Sequence, residues 1–337
     1  MTDVERYPRW LVLALCLSPA PVACTKERPP DDDIPIRPAS LTAAARRTAP
    51  APVASATTRA AAGETAQEIA DERTGTMVAI PGGSFDMGSA VKRLGEDPVH
   101  RVALSPFFID KFEVTVELYK KCVDDGRCGA GDYVIWKDIA EDEAKLWSPY
   151  CNWQKPGRER HPMNCVDYPM AEACCQWAGK RLPTEAEWEY SARGGDSRKL
   201  PWGSEKPGPR LLNACDSSCQ GELVRRGRPW GMLYQDSDGF AGTAPVGSFP
   251  DGRSPFGAMD MLGNVWEWVS DWQSPTYYGR SPDRDPKGPA AGSARVYRGG
   301  GWSDYDAKYL RTTYRPAFAP GVRHAAVGFR CARDGAR

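Results

Sequence analysis

The sequence predicts an α+β fold, a single compact domain low in regular secondary structure, carried behind a long N-terminal extension. Three observations predict it. Short helical segments are bounded by strong capping residues. Strand-like runs of four or five residues precede them. From about Gly195 onward, Gly, Pro, Asp and Trp recur every few residues, which leaves little room for long regular elements. Of 337 residues, 33 are Gly, 30 are Pro and 12 are Trp, so large aromatics must supply much of the core of a turn-rich chain. Hydrophobic residues make up 41%, enough for a sizeable core, and Lys plus Arg equals Asp plus Glu at 44 each. With zero net charge and no basic stripe, nucleic acid is not expected as a main partner.

Residues 1–24 read as an export signal. "WLVLALCLSPAPVAC" is apolar from Trp10 to Leu17, then small and Pro-rich up to Cys24. The apolar run is too short to span a bilayer. Cys24 follows the small residue Ala23, which resembles a bacterial lipoprotein processing site. The departures are Pro21, where Leu is usual, and acids in the n-region. Lipidation of Cys24 would anchor the protein to a membrane without spanning it; plain secretion is the alternative. Either places the protein outside the cytoplasm, at the cell envelope, in the periplasm or secreted. Residues 25–75 are rich in Pro, Ala, Thr and charge and contain no aromatic residue, so they are expected to be a disordered linker. The folded domain is expected over 76–337.

Within it, "MVAIPGGSFDMGS" reads as strand, Pro-Gly-Gly turn, strand, and "HRVALSPFFIDKFEVT" as strand broken at Pro106. Thr115 can N-cap an amphipathic helix "VELYKKCVDD" that ends at Gly126. "YPMAEACCQWAGKR" is a second helix, stopped near Gly179. In "LPTEAEWEYSARGG", Thr184 and Glu187 form a capping box and Gly194-Gly195 end the helix. Glu185 and Glu189 share one face of that helix and are expected to be solvated.

Nine cysteines lie beyond the signal, which in an exported protein points to disulfides. "CVDDGRC" and "CDSSC" can close locally as Cys122–Cys128 and Cys215–Cys219. Cys151 and Cys165 flank a polar loop. Cys331 needs a distant partner, and Cys174 and Cys175 are adjacent, so on a helix only one can face it. A Cys175–Cys331 bond would close a very long loop, worth roughly 4–5 kcal/mol on the chain-entropy model. The odd count leaves one thiol, assigned to Cys174. A zinc site is the competing reading, disfavoured because there is no C-x-x-C pair and only three histidines.

Five stretches together resemble the formylglycine-generating enzyme, or sulfatase-modifying factor, family: "IPGGSFDMGS", "HPMNCVDYPMAEACCQWAGKRLPTEAEWEYSARGG", "GFAGTAPVGSFPDGRSPFGAMDMLGNVWEWVSDW", "RVYRGGGWSDYDAKYLRTTYR" and "GFRCARD". The resemblance runs from about Thr76 to Asp334. It implies one domain related to the C-type lectin topology, with bound calcium. In the family's enzymes, two cysteines that follow the Gly-Gly turn hold copper and oxidise a sulfatase cysteine to formylglycine with oxygen. Here those positions fall on Asp304 and Tyr309, and no cysteine lies between Cys219 and Cys331. Aspartate and tyrosine cannot replace a thiolate pair for soft Cu(I), so copper is not expected. The resemblance therefore implies a non-oxidase module binding a peptide, protein or glycan ligand. An oxidase with a divergent site is the alternative. Trp266, Trp302 and Arg311 are expected to line the groove, although the cluster Trp266, Trp268 and Trp272 also reads as core.

"DSDGF" and "DMLGNVWEW" resemble the family's two calcium loops. Carried over, one site takes Asn213, Asp238 and the carbonyls of Ala214 and Phe240. The other takes Asp260, Glu267 and the carbonyls of Gly263 and Val265. Hard oxygen donors on irregular chain suit Ca²⁺; without the resemblance, the same acids read as turn caps. His100, His161 and His324 share no spacing and are expected to serve turns or packing. No G-x-S-x-G elbow or Walker-type loop is present.

Overall fold

The computed structural model describes residues 67–73, 75–91, 95–196 and 198–335. The export signal with Cys24, and most of the expected linker, lie outside the described residues. The fold begins earlier than the expected boundary at Thr76. A two-residue strand β1 (Glu68–Ile69) pairs with β2 (Met77–Ile80), and Ala79 N–H donates to Gln67 C=O at 2.9 Å. Lys111 adds an ion pair to Glu68 at 2.6 Å. Composition alone hid this, because so short a strand is held by its neighbour rather than by its own residues.

β2 and β3 (Gly83–Met87) flank the Pro-Gly-Gly turn, yet they join different sheets. β3 pairs with β4 (His100–Leu104), while β5 (Phe107–Asp110) lies between β2 and the C-terminal strand β10 (Ala332–Asp334). Pro106 separates β4 from β5 as expected, since it cannot donate to a ladder.

The helices follow. α1 (Val116–Asp124) is N-capped by the Thr115 hydroxyl, and Gly126 turns the chain at φ 68°. α2 (Glu141–Trp147) has no side-chain cap. α3 (Tyr168–Trp177) is capped by Asp167. α4 (Glu185–Arg193) has the complete Thr184/Glu187 capping box, and Gly194 leaves it at φ 69°. α5 (Ser217–Arg225) is capped by Asp216. Neither α2 nor α5 was expected from the sequence.

Every residue of α4 is buried, which corrects the solvated reading of Glu185 and Glu189. Arg315 grips Glu185 through two bonds, Nε to Oε1 at 2.7 Å and Nη2 to Oε2 at 2.8 Å. Arg298 reaches both acids, and Arg193 bonds Glu189 at 2.7 Å. Burying such charges is tolerable only when each is paired and hydrogen-bonded.

The third sheet has the order β8 (Ala317–Phe318), β7 (Arg295–Arg298), β6 (Trp266–Trp272) and β9 (Val327–Phe329), with β6 and β9 parallel. β6 is central and divides two apolar clusters. Because side chains alternate along a strand, Trp266 and Trp268 enter one cluster and Val269 enters the other. The Trp266/Trp268 cluster also contains residues of α1 and α3 and eight of the domain's nine cysteines, with the partly buried Cys128 packed against it. The Val269 cluster packs β2 to β5 against α4.

The four expected disulfides are present: Cys122–Cys128, Cys151–Cys165, Cys175–Cys331 and Cys215–Cys219. Cys174 is the free, buried cysteine. Burial pushes its thiol up to about 12, away from the thiolate form that reacts. Among the described residues, no helix is long and apolar enough to cross a membrane.

Candidate functional site

β7 delivers the chain into the loop that follows Arg298. Gly299 and Gly300 have φ of 104° and 83°, a region that favours glycine. A side chain at Gly300 would collide with Leu310, and one at Gly301 would crowd Ala326 and Trp266. These contacts fold the loop back on itself. The Asp304 N–H donates to Gly301 C=O at 3.0 Å, and Gly301 N–H returns a bond to Asp304 Oδ2 at 2.7 Å. The Trp266 side chain lies beside the Asp304 carboxyl and favours its charged form.

Asp304 is half-buried and carries no ion pair among the described residues. Burial pushes its carboxyl up to about 7, and Asp306 raises it further, while Gly301 N–H and Trp266 oppose the shift. Tyr309 is half-buried, edge-on to Tyr314 at 5.4 Å. Trp266 meets Tyr297 at 5.0 Å and Tyr314 at 6.0 Å. The loop therefore places one carboxyl beside a group of aromatic rings.

The expected groove residues divide. Trp266 is almost wholly buried and touches Asp304 from below. Trp302 has no exposure at all, and its indole donates to Ala325 C=O at 3.2 Å. Its place is the core, which corrects the expectation that it walls the groove. Arg311 is half-buried and clamps the buried Glu96 through two bonds of 2.8 Å, so its guanidinium fixes the loop to residue 96. The sequence reading missed Tyr305 and Trp230. Tyr305 is 39% exposed and edge-on to Trp230 at 5.5 Å. Gly231 lies so close under Tyr305 that any side chain there would strike the ring. Only the alternation of aromatics with charges after the three glycines hinted at this platform.

The two oxygen-donor sets adjoin each other. Asp238 Oδ2 accepts from the Tyr234 hydroxyl at 3.0 Å, and that hydroxyl accepts from Ala214 N–H at 3.2 Å. Phe240 N–H donates to Asp238 Oδ1 at 2.9 Å. Asn213, Ala214, Asp238 and Phe240 are thus brought together. Asn213 Oδ1 is buried without a hydrogen-bond partner, and burial pushes Asp238 up to about 7. In the second set, Asp260, Gly263 and Asn264 all have positive φ, of 56°, 86° and 57°. This winds residues 260–265 tightly against Asn213, whose carbonyl accepts from Asn264 N–H at 2.8 Å.

Glu267 is fully buried and accepts from Trp188 Nε1 at 2.8 Å and from Arg330 at 2.7 Å on each oxygen. Burial pushes Asp260 up to about 6. Glu113 was not foreseen. It is buried, accepts from Asn264 Nδ2 at 3.0 Å and from Val265 N–H at 3.3 Å, and is raised by burial, then by Asp260 and Glu267. Its only sequence signal was a lone acid in the strand-like "FEVT".

The histidines go to separate surroundings. His161 bonds Thr243, His324 lies among Trp136, Trp147 and Phe318, and His100 packs on Tyr278. A cavity of about 600 Å³, lined by Arg73, Asp125, Arg127, Ala173, Gln176 and Trp177, lies apart from the glycine loop.

Comparison with known proteins matches residues 62–335 to the family described as "Sulfatase-modifying factor enzyme 1-like domain". The formylglycine-generating enzyme of Streptomyces coelicolor is 38% identical over 309 residues, covering 82% of this chain and 94% of that protein. The bovine "Inactive C-alpha-formylglycine-generating enzyme 2" is 32% identical over 303 residues, covering 80% of this chain and 92% of that protein. Among solved structures, PvdO from Pseudomonas aeruginosa aligns with a TM-score of 0.61 at 27% identity, covering 81% of this chain and 99% of PvdO. Treponema denticola variable protein 1 shares the fold, with a TM-score of 0.56 at 23% identity, covering 77% and 95%.

Proposed function

This chain belongs to the sulfatase-modifying factor enzyme 1-like family, and from that premise we propose that it is a ligand-binding member without the copper oxidase activity. One observation carries the reading. The loop keeps its glycine-built shape, while Asp304 and Tyr309 stand where the resemblance puts the copper cysteines, and Cys174 is buried elsewhere in the core. A carboxyl and a phenol do not hold Cu(I) as a thiolate pair does. The existence of a relative named as inactive supports the same reading.

The test is direct. The purified domain is incubated with copper, oxygen and a cysteine-containing sulfatase peptide, and the peptide is examined by mass spectrometry. Unchanged peptide is expected. Aldehyde would refute the reading in favour of an oxidase with a divergent site, the alternative that 38% identity to a formylglycine-generating enzyme keeps in view.

The donor sets fit calcium. Asn213 Oδ1 lacks a partner inside the protein, and Asp238, Asp260 and Glu113 are all raised by burial, with one arginine, Arg330, facing the second set. A divalent cation would supply the missing positive charge and fix the backbone turns that carry these residues. Asn213, Asp238 and the carbonyls of Ala214 and Phe240 would hold one ion. Asp260, Glu267 and the carbonyls of Gly263 and Val265 would hold the other.

The signal-like sequence of residues 1–24 supports the further proposal that the domain lies outside the cytoplasm, tethered at the cell envelope by a lipid on Cys24. A Cys24→Ser variant should leave the membrane fraction. Unchanged membrane partitioning would remove the anchor from the proposal.

A further inference from the structure

Resting on the reading of the glycine loop as a binding site, we infer that Asp304 receives the amine or guanidinium of a basic peptide side chain, whose stem lies on the Tyr305–Trp230 platform. Glu96 is paired with Arg311, Glu222 with Arg225 and Arg226, and Asp306 with Lys308. Asp304, by contrast, has only neutral neighbours at its carboxyl, the Gly301 N–H and the Trp266 side chain. The residue keeps partial exposure while its carboxyl is desolvated, so a cation brought to it meets a carboxylate with no internal counter-charge.

The surrounding rings set the direction of approach. Lys308 lies over Tyr309 at 4.6 Å and Arg311 over Tyr314 at 5.5 Å, so cations of the protein already cover those two faces. No protein cation is stacked on the Tyr305–Trp230 pair among the described residues. There Tyr305 is 39% exposed, Met232 is 37% exposed, and Trp230 is fixed by its indole bond to Ser303 C=O at 2.8 Å. Lysine and arginine characteristically lay an apolar stem along such rings while the head finds a carboxylate. The occupant is therefore a peptide with a basic residue next to an apolar one. Burial that holds the Asp304 carboxyl near 7 is relieved when a cation arrives, so occupation and ionisation reinforce each other.

The test uses four blocked tetrapeptides, Ala-X-Phe-Ala, with lysine, arginine, norleucine or glutamate at X. Binding to the full chain is followed by calorimetry and tryptophan fluorescence at pH 8. The lysine and arginine peptides should bind at least tenfold tighter than the norleucine one. Asp304→Asn, which keeps an oxygen for the Gly301 N–H, should erase the preference of the basic peptides over the norleucine one. Tyr305→Ala should weaken both basic peptides with Asp304 intact. Equal affinity for lysine and norleucine, or an Asp304→Asn variant that keeps the preference, would overturn the assignment. If only the glutamate peptide binds, the cation assignment fails and the binding reading survives. Aldehyde in the oxidase assay sinks the binding reading itself.

Discussion

Burial without a counter-charge sets the behaviour of Asp304, whose carboxyl is held near 7, well above the value of about 4 for a free aspartate. Between those two values the folded protein holds a proton that the unfolded chain has released. The resulting stability is present below the lower value and is lost as pH rises through the upper one. Asp304→Asn should therefore be more stable than the parent at pH 8 by something of order 2 kcal/mol, with the gap nearly closed at pH 4. Urea unfolding at the two pH values checks this; a gap independent of pH would refute it. The neighbours that face Asp304 include Asp306, Tyr297 and Trp266, and none of them is a cation. That absence could be suspected from the sequence only at Asp304 itself, through the missing cysteine pair. Which lysines and arginines turn away from it is decided by the loop's three-dimensional course.

The disulfides make elements of very different reach. Cys175–Cys331 ties α3 to the strand region before β10 across 156 residues, whereas Cys215–Cys219 spans four residues at the start of α5. On the chain-entropy model the first is worth about 5 kcal/mol and the second about 2 kcal/mol. Replacing Cys175 and Cys331 together by alanine should thus cost about two to three times the stability lost on replacing Cys215 and Cys219, measured as urea midpoints. Equal losses would show that strain or residual structure, and not chain entropy, dominates. These pairings were legible in the sequence because local spacing and parity restrict them. α1 and α4 were legible because Thr115 and the Thr184/Glu187 box mark where they begin, and α3 because Gly179 marks where it stops. α2 was not, since Ala140 at its start offers no side-chain cap and only Trp147 is buried. α5 was hidden inside "CDSSC", which reads equally well as a turn. The acids of α4 misled for a different reason. Helical periodicity says which residues share a face, but Arg298 and Arg315, more than a hundred residues away, decide that this face is buried.

At the scale of the whole molecule, long irregular stretches between short strands must be held by something other than ladders. Paired buried charges and crosslinks do part of this. The two oxygen-donor sets, meeting at Asn213 and Asn264, would do more when filled. Calcium at a hundred times its dissociation constant should add about 2.7 kcal/mol, and so raise the melting temperature by several degrees over a chelated sample. A melting temperature indifferent to chelator would count against both sites. β6 carries a consequence of its own. Trp266 and Glu267 are successive residues, one turned to the aromatic loop and the other to Arg330 and Trp188. A slip of one position would drive a carboxylate into packed rings and an indole into the guanidinium. The strand thus has a reading frame enforced by incompatible chemistry on its two sides.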